Sequence, residues 1–350
     1  MPARTQPAHT RPARTLPAHT RPARSAVVAA SSLSCLLAVA LSTGCSSSST
    51  SSAESKEGPA KPALTKAQAQ QVLASYTTAA NRAGRRLSGD GLRTVEADPQ
   101  LTMDDASLKL RRVIKRRPSA LKFRETAFYI PRLSGYPHWF VVGAATGPAK
   151  QPLRHAMLFN QARPGAPWLL TANPYPASDS LSQIALDPDG YATPVKPNSS
   201  KQLAVAPGKL PEAHAALLTG GPSAAGASVL ADGPQTSETY KALRKGEKTL
   251  AGRGVTLSSR FSAAPYSVYA LRTKDRGAVV WYVLKQREAY SSSKHGALSV
   301  GGDLLGLVPA KATRSRMDTT VLVQYLATVP PTGRTAVTGI YRKAVTAHGA

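Results

Sequence analysis

Cys45 is the residue whose surroundings specify a chemistry most directly. It closes the sequence LSTGC at 41–45, behind an uncharged apolar run at 26–41 that follows Arg14, Arg21 and Arg24. A basic start, a short apolar core and small residues before a cut site are the parts of a secretory signal. A cysteine directly after Thr43 and Gly44 adds a thiol placed to accept a diacylglycerol. Ser42 stands where such signals more often carry leucine, with Leu41 one place further out. The apolar run falls short of the roughly 20 residues that span a bilayer as a helix. The sequence therefore predicts a lipoprotein signal peptide at 1–44, lipidation at Cys45, and a lipid anchor holding the protein at the outer face of the cytoplasmic membrane.

Elsewhere the residues that do chemistry are scattered. Beyond the signal, His138, His155, His214, His295 and His348 form neither HxH nor HExxH, so no zinc signature is present. There is no GxSxG elbow and no phosphate-cradling GxxxxGK. Ser291 and Lys294 make an SxxK, but between strand-like segments rather than on the helix that would bring the lysine beside the serine. The chain has two cysteines, and Cys35 falls inside the signal, which excludes intrachain disulfides and cysteine-based nucleophiles or metal sites. DPDG at 187–190 lacks the later acidic ligands of a calcium loop and reads as a turn. The sequence thus predicts no catalytic residues, no metal and no cofactor.

Basic residues are the denser signal. The formal charge is +26, from 45 Lys and Arg against 19 Asp and Glu. Five of those arginines precede Cys45, so the excess survives cleavage. Lys109, Arg111, Arg112, Lys115, Arg116, Arg117, Lys122 and Arg124 crowd into 109–124. Helical spacing puts Lys109, Arg112 and Arg116 on one stripe, beside another carrying Leu110, Val113 and Ile114. Lys109, Arg112, Lys115 and Arg116 are the candidate polyanion-binding residues, with anionic wall polymer or lipid head groups as partners and an envelope protein as another. Only Phe123 interrupts the run, so the interleaved aromatics that stack nucleic-acid bases are missing. A second cluster is aromatic: Phe128, Tyr129, Tyr136, Trp139, Phe140, Trp168 and Tyr175 either line a pocket or fill a core.

These residues need elements to hold them. Residues 46–62 are too polar and small to pack and read as a tether. Apolar spacing predicts a helix from about 64 with Thr65 as N-cap, interrupted at 84–91, and a second from 104 or 105 to just before Pro118. Strands follow at 121–130, 139–145, 154–160 and 168–172. The Pro- and Gly-rich stretch at 176–211 reads as a linker. A helix at 236–252, capped by Thr236 or Ser237, then precedes strands at 255–261, 267–272 and 278–287 and a hairpin of 321–329 with 336–346. The element order gives two tandem α+β lobes, 63–175 and 212–350, each with helices on a curved antiparallel sheet.

The segment 67–101 resembles a group of actinobacterial surface lipoproteins of unknown function. The likeness rests on Val72, Leu73, Tyr76 and Asn81, followed by Leu92, Val95 and Glu96. Ala97 and Asp98 stand where such proteins often carry Thr-Gly. The resemblance implies lobes similar to the nuclear-transport-factor-like or cystatin-like superfold and brings no catalysis with it. The expectation is a membrane-anchored, non-enzymatic binding or scaffold module for an envelope component. The alternative is a small-ligand receptor or enzyme using an aromatic-lined pocket in the first lobe.

Overall fold

Thr65 starts the first helix by reciprocal capping: its hydroxyl accepts from the Gln68 backbone N–H at 3.2 Å, and the Gln68 side chain accepts from the Thr65 N–H at 2.7 Å. The computed structural model describes residues 62–294, 298–309 and 314–349. The expected signal peptide, Cys45 and the tether up to residue 61 lie outside them. Helix α1 runs Lys66–Arg86 and continues through Gly84, where an interruption was expected. A Cβ at Gly84 would come within 2.8 Å of Pro118 Cγ, so glycine admits the chain that follows the second helix. Helix α1 ends one turn later, with Leu87 in the left-handed region.

Helix α2 runs Gln100–Val113, starting earlier and ending earlier than its apolar spacing suggests. Asp98 accepts from the Thr102 backbone N–H and hydroxyl, which begins the helix ahead of Asp104. At the other end Lys115 takes φ +54°, and the Arg116 N–H returns to the Arg111 carbonyl at 3.0 Å, a six-to-one closure. The packed face carries Gln100, Met103, Ala106 and Leu108, while Val113 and Ile114 are 49% and 41% exposed.

Strands β1 (Arg124–Tyr129), β2 (His138–Thr146), β3 (Leu153–Gln161) and β4 (Leu169–Ala172) form an antiparallel meander. The second sheet has the order β5 (Tyr175–Pro176), β10 (Ala336–Gly349), β9 (Arg316–Val329), β8 (Ala278–Ser292) and β6 (Val255–Ala263), with β7 (Tyr269–Arg272) also paired to β8. Two further helices, α3 (Leu210–Gly220) and α4 (Ser237–Ala251), belong to this half. Helix α3 lies where a linker gives way to the second lobe in the sequence reading. Its turns are apolar almost all round, with Leu210, Ala213, His214, Ala215, Leu217 and Leu218 buried, so no amphipathic stripe announces it. Thr236 precedes α4 but does not cap it; its hydroxyl donates to the Ala231 carbonyl at 2.7 Å.

Alternation along the strands produces four layers. Phe128, Phe140, Val142, Met157, Phe159 and Leu170 face α1, meeting Leu73 and Tyr76. The opposite face, with Trp139, Val141, Ala156 and Leu158, meets Val279, Trp281 and Leu326 of the second sheet. The far side of that sheet, with Val280, Tyr282, Leu284, Val323 and Tyr325, packs on α3. Strands β8 and β9 are therefore buried on both faces, and each such large apolar side chain contributes about 1.5–3 kcal/mol. The Trp281 indole N–H donates to the Ala156 carbonyl at 3.0 Å, joining the sheets. Within 176–211, Leu181, Ile184, Ala192, Val195 and Leu203 are buried in the shared cores. The protein is α+β with antiparallel sheets, and Lys56–Ala350 form one compact unit containing all five apolar clusters.

Candidate ligand-binding cavity

Helices α1 and α2, the chain after α2, and strands β3, β5 and β10 surround a cavity of about 240 Å³. Packing α1 on the first sheet turns Tyr76 inward, and alternation on β3 and β10 delivers His155 and Tyr341. A run of ring contacts follows: Tyr76 to Phe123 at 6.5 Å between centroids, Phe123 to His155 at 5.2 Å, His155 to Tyr175 at 5.2 Å, and Tyr175 to Tyr341 at 5.2 Å. Arg85, Ser119 and Ala120 are the exposed members of the lining and mark the opening; Arg111 is half-exposed.

Two carboxyls lie within this aromatic arc. The chain before α2 is pinned along β4, with the Leu170 N–H donating to the Val95 carbonyl at 2.8 Å and the Ala97 N–H to the Leu170 carbonyl at 3.0 Å. That pairing forces Glu96 inward, where it is 1% exposed. No donor from the described residues reaches either of its carboxyl oxygens in hydrogen-bonding geometry. The charged group facing it is Asp104, one turn into α2. Asp104 is well supplied: Gln100 Nε2 donates to Oδ2 at 2.9 Å and the Tyr341 hydroxyl to Oδ1 at 3.0 Å. Gln100 is itself held by Gln324 of β9, whose Nε2 donates to Gln100 Oε1 at 3.0 Å and whose Oε1 accepts from the Asn173 N–H at 2.7 Å.

Burial raises the Glu96 carboxyl well above the usual carboxylate range, and the adjacent Asp104 raises it further. Burial raises Asp104 as well, but the donors from Gln100 and Tyr341 favour its charged form. Of the two carboxyls, Glu96 is therefore the one that holds its proton to higher pH. Burial and the carboxyls push the phenols of Tyr76, Tyr175 and Tyr341 up, so they stay neutral donors. His155 is lowered to about 4, chiefly by burial. Its Nε2 lies 2.9 Å from Thr146 Oγ1 and its Nδ1 3.1 Å from Asn173 Nδ2, which engages both ring nitrogens.

The model of a domain of unknown function, DUF8094, matches residues 60–350. The chain belongs to this family. It is similar to an uncharacterized lipoprotein of Streptomyces avermitilis, 28% identical over 67% of this chain and 69% of that protein. Two uncharacterized lipoproteins of Streptomyces coelicolor are 29% identical over 63% of this chain and 64% of theirs, and 24% identical over 73% and 77%. No solved structure matches. These relatives support an extracytoplasmic lipoprotein. No helix among the described residues is long and apolar enough to cross a membrane.

In this DUF8094 member the residues singled out in sequence disperse. Lys109 pairs with Asp105 at 2.9 Å, and Arg112 donates to the Leu87 carbonyl at 2.7 Å. Lys115 and Arg116 lie beyond the end of α2, exposed, so the stripe of Lys109, Arg112 and Arg116 does not run on one helix. Of the aromatic cluster, only Tyr175 lines the cavity; Phe128, Phe140 and Trp168 pack towards α1, Tyr129 and Trp139 between the sheets, and Tyr136 stacks on His138 outside. DPDG closes a turn held by Arg132, which pairs with Asp187 at 3.1 Å and with Asp189. Ser291 lies within β8, one residue before its end, and Lys294 lies in the bend after it, so no helical turn joins them. The cavity roles of Asp104, His155 and Tyr341 escape sequence reading because they come from distant segments. One signal did point there: Tyr76, Asn81, Leu92 and Glu96 of the family-like segment all line the cavity.

Proposed function

We propose that this protein is a non-enzymatic, small-ligand-binding lipoprotein, anchored through acylated Cys45 at the outer face of the cytoplasmic membrane. The observation that carries the reading is Glu96, a buried carboxyl without a hydrogen-bond donor in the wall of a solvent-connected cavity. Beyond its hydrogen bond with Asp104 it receives no donor, and a ligand's donors would fill that remaining acceptor capacity.

The polyanion reading narrows to anionic lipid. Val113 and Ile114 are exposed beside Arg112, Lys115, Arg116 and Arg117, also exposed. Apolar side chains within a basic rim suit a bilayer interface, whereas a wall polymer gives them nothing to enter. Each basic residue near an anionic surface adds about 1 kcal/mol.

The test is a thermal-shift panel on the Lys56–Ala350 unit with primary amines, zwitterions, organic anions and sugars. A ligand at a hundredfold excess over its Kd adds about 2.7 kcal/mol, a rise of about 5 °C for a unit of this size. One chemical class should give that rise, and Ser107→Trp, which fills the cavity, should abolish it. No rise with any class, or a rise untouched by Ser107→Trp, defeats the cavity reading.

A further inference from the structure

The cavity is polarised, and the polarity specifies a ligand. At its inner wall are two carboxyls: Glu96 receives no donor in hydrogen-bonding geometry, and Asp104 accepts from Gln100 and Tyr341. Three phenol rings, Tyr76, Tyr175 and Tyr341, surround them, with Phe123 continuing the arc. Carboxylate acceptors inside an aromatic wall suit an ammonium group, which donates N–H bonds to the oxygens and meets the negative faces of the rings. At the opening are two guanidinium groups, Arg85 and Arg111, and neither makes an ion pair among the described residues. Arg111 acts electrostatically on Tyr175, which places its charge against the same cavity. A simple cation would meet these positive charges on entry, and a simple anion would meet the carboxyls within. A molecule with an ammonium at one end and an anionic group at the other satisfies both. The volume of about 240 Å³ is below the roughly 300–1,000 Å³ of sites for drug-sized molecules, which limits the ligand to a small one.

We propose that the cavity binds a small zwitterion, its ammonium donating to Glu96 and Asp104 among the tyrosine rings and its anionic end resting on Arg111 and Arg85. The proposal rests on the cavity reading above and names its ligand class. Binding exchanges a proton: Glu96 gives up its O–H proton to solvent buffer as the ammonium arrives, so both carboxyls become acceptors and the ion pair balances. The other ionisable groups facing the pair do not change charge with it near neutrality. Tyr76 on α1, Tyr175 on β5 and Tyr341 on β10 are raised phenols, and His155 on β3 is neutral. Arg85, Arg111 and, from β10, Lys343 are the basic groups that face it.

Isothermal titration calorimetry on the Lys56–Ala350 unit tests this with four probes: phosphoethanolamine and β-alanine as zwitterions, n-butylamine as cation only, and propyl phosphate as anion only. The zwitterions should bind at least about tenfold more tightly than either single-charge probe, the equivalent of one charge-assisted hydrogen bond. Their affinity should rise with pH while Glu96 is protonated in the free protein, with about one proton released to buffer. Glu96→Gln should abolish the proton release and weaken binding about tenfold or more. Arg111→Gln should erase the preference over n-butylamine. Tightest binding by propyl phosphate, or affinity independent of Glu96→Gln, overturns the ammonium assignment; if Ser107→Trp still abolishes that binding, the cavity reading stands without it. Silence from all four probes overturns the ligand class, and the thermal-shift panel then decides whether the cavity reading falls too.

Discussion

Replacing Glu96 with Gln should make the protein more stable at neutral pH. Burial and the adjacent Asp104 hold the folded carboxyl well above the usual carboxylate range near 4.5. The folded state therefore binds a proton that the unfolded chain releases, and stability falls as pH rises from 4.5 towards the folded value. The slope is at most about 1.4 kcal/mol per pH unit for one proton. For a unit of this size that is about 3 °C in Tm per pH unit. Glutamine keeps the shape, does not titrate, and brings an N–H₂ to the Asp104 carboxylate, which also relieves the pressure on Asp104. Two histidines act with the opposite sign. His155 and His214 are each lowered to about 4 by burial, so their contribution is present above 6.5 and lost as pH falls towards 4. They are common to both proteins and cancel in the difference. The assay is the Tm of wild type and Glu96→Gln, by circular dichroism, from pH 4 to 8. The two should coincide near pH 4 apart from a constant offset, and the variant should gain steadily above pH 4.5. Parallel curves across the range would refute the shared proton.

Gln324→Leu should lower stability by about 2–4 kcal/mol, because it strands the Asn173 N–H and Gln100 Oε1 in the interior; chemical denaturation reads the loss. Cys45→Ala should leave an unprocessed precursor or release the protein to the medium, read by fractionation and mass; retention in the membrane at mature size would count against lipid anchoring. Lys115→Glu with Arg116→Glu should weaken sedimentation with anionic liposomes, most at low salt, and leave Tm within about 1 °C, since both side chains are exposed. Lys109→Glu with Arg112→Glu should lower Tm measurably more, because these two hold Asp105 and the Leu87 carbonyl.

Local chemistry was legible in the sequence where neighbours in the chain are neighbours in space. Thr65 announces the start of α1, and the apolar runs at 139–145 and 321–329 announce β2 and β9. Legibility ended where long-range packing decided the outcome. The stripe of Leu110, Val113 and Ile114 has helical spacing, yet α2 turns Met103, Ala106 and Leu108 to the interior and closes at Lys115. Gly84 has the composition of a break, and its meaning depends on Pro118, 34 positions away. Helix α3 is apolar almost all round because sheet and loops cover most of it, leaving Glu212 and Gly220 exposed, a condition no window of sequence displays.

The candidate site lies at the end of that scale, and the reason is electrostatic. Glu96 follows Val95 in a polar turn and reads alone as a surface acid. It is buried because the bridge between 95–97 and Leu170 leaves its side chain only the interior, and Asp104 approaches because Gln324 and Gln100 fix the first turn of α2 from the other sheet. Two sheets are thus needed to bring two carboxyls together, and folding stability opposes their meeting. A fold that needed only stability would place an apolar residue at 96 and lose nothing in packing. The opening of the same cavity lies between Arg85 and the chain at 118–120, so a ligand reaches the two carboxyls past a basic side chain.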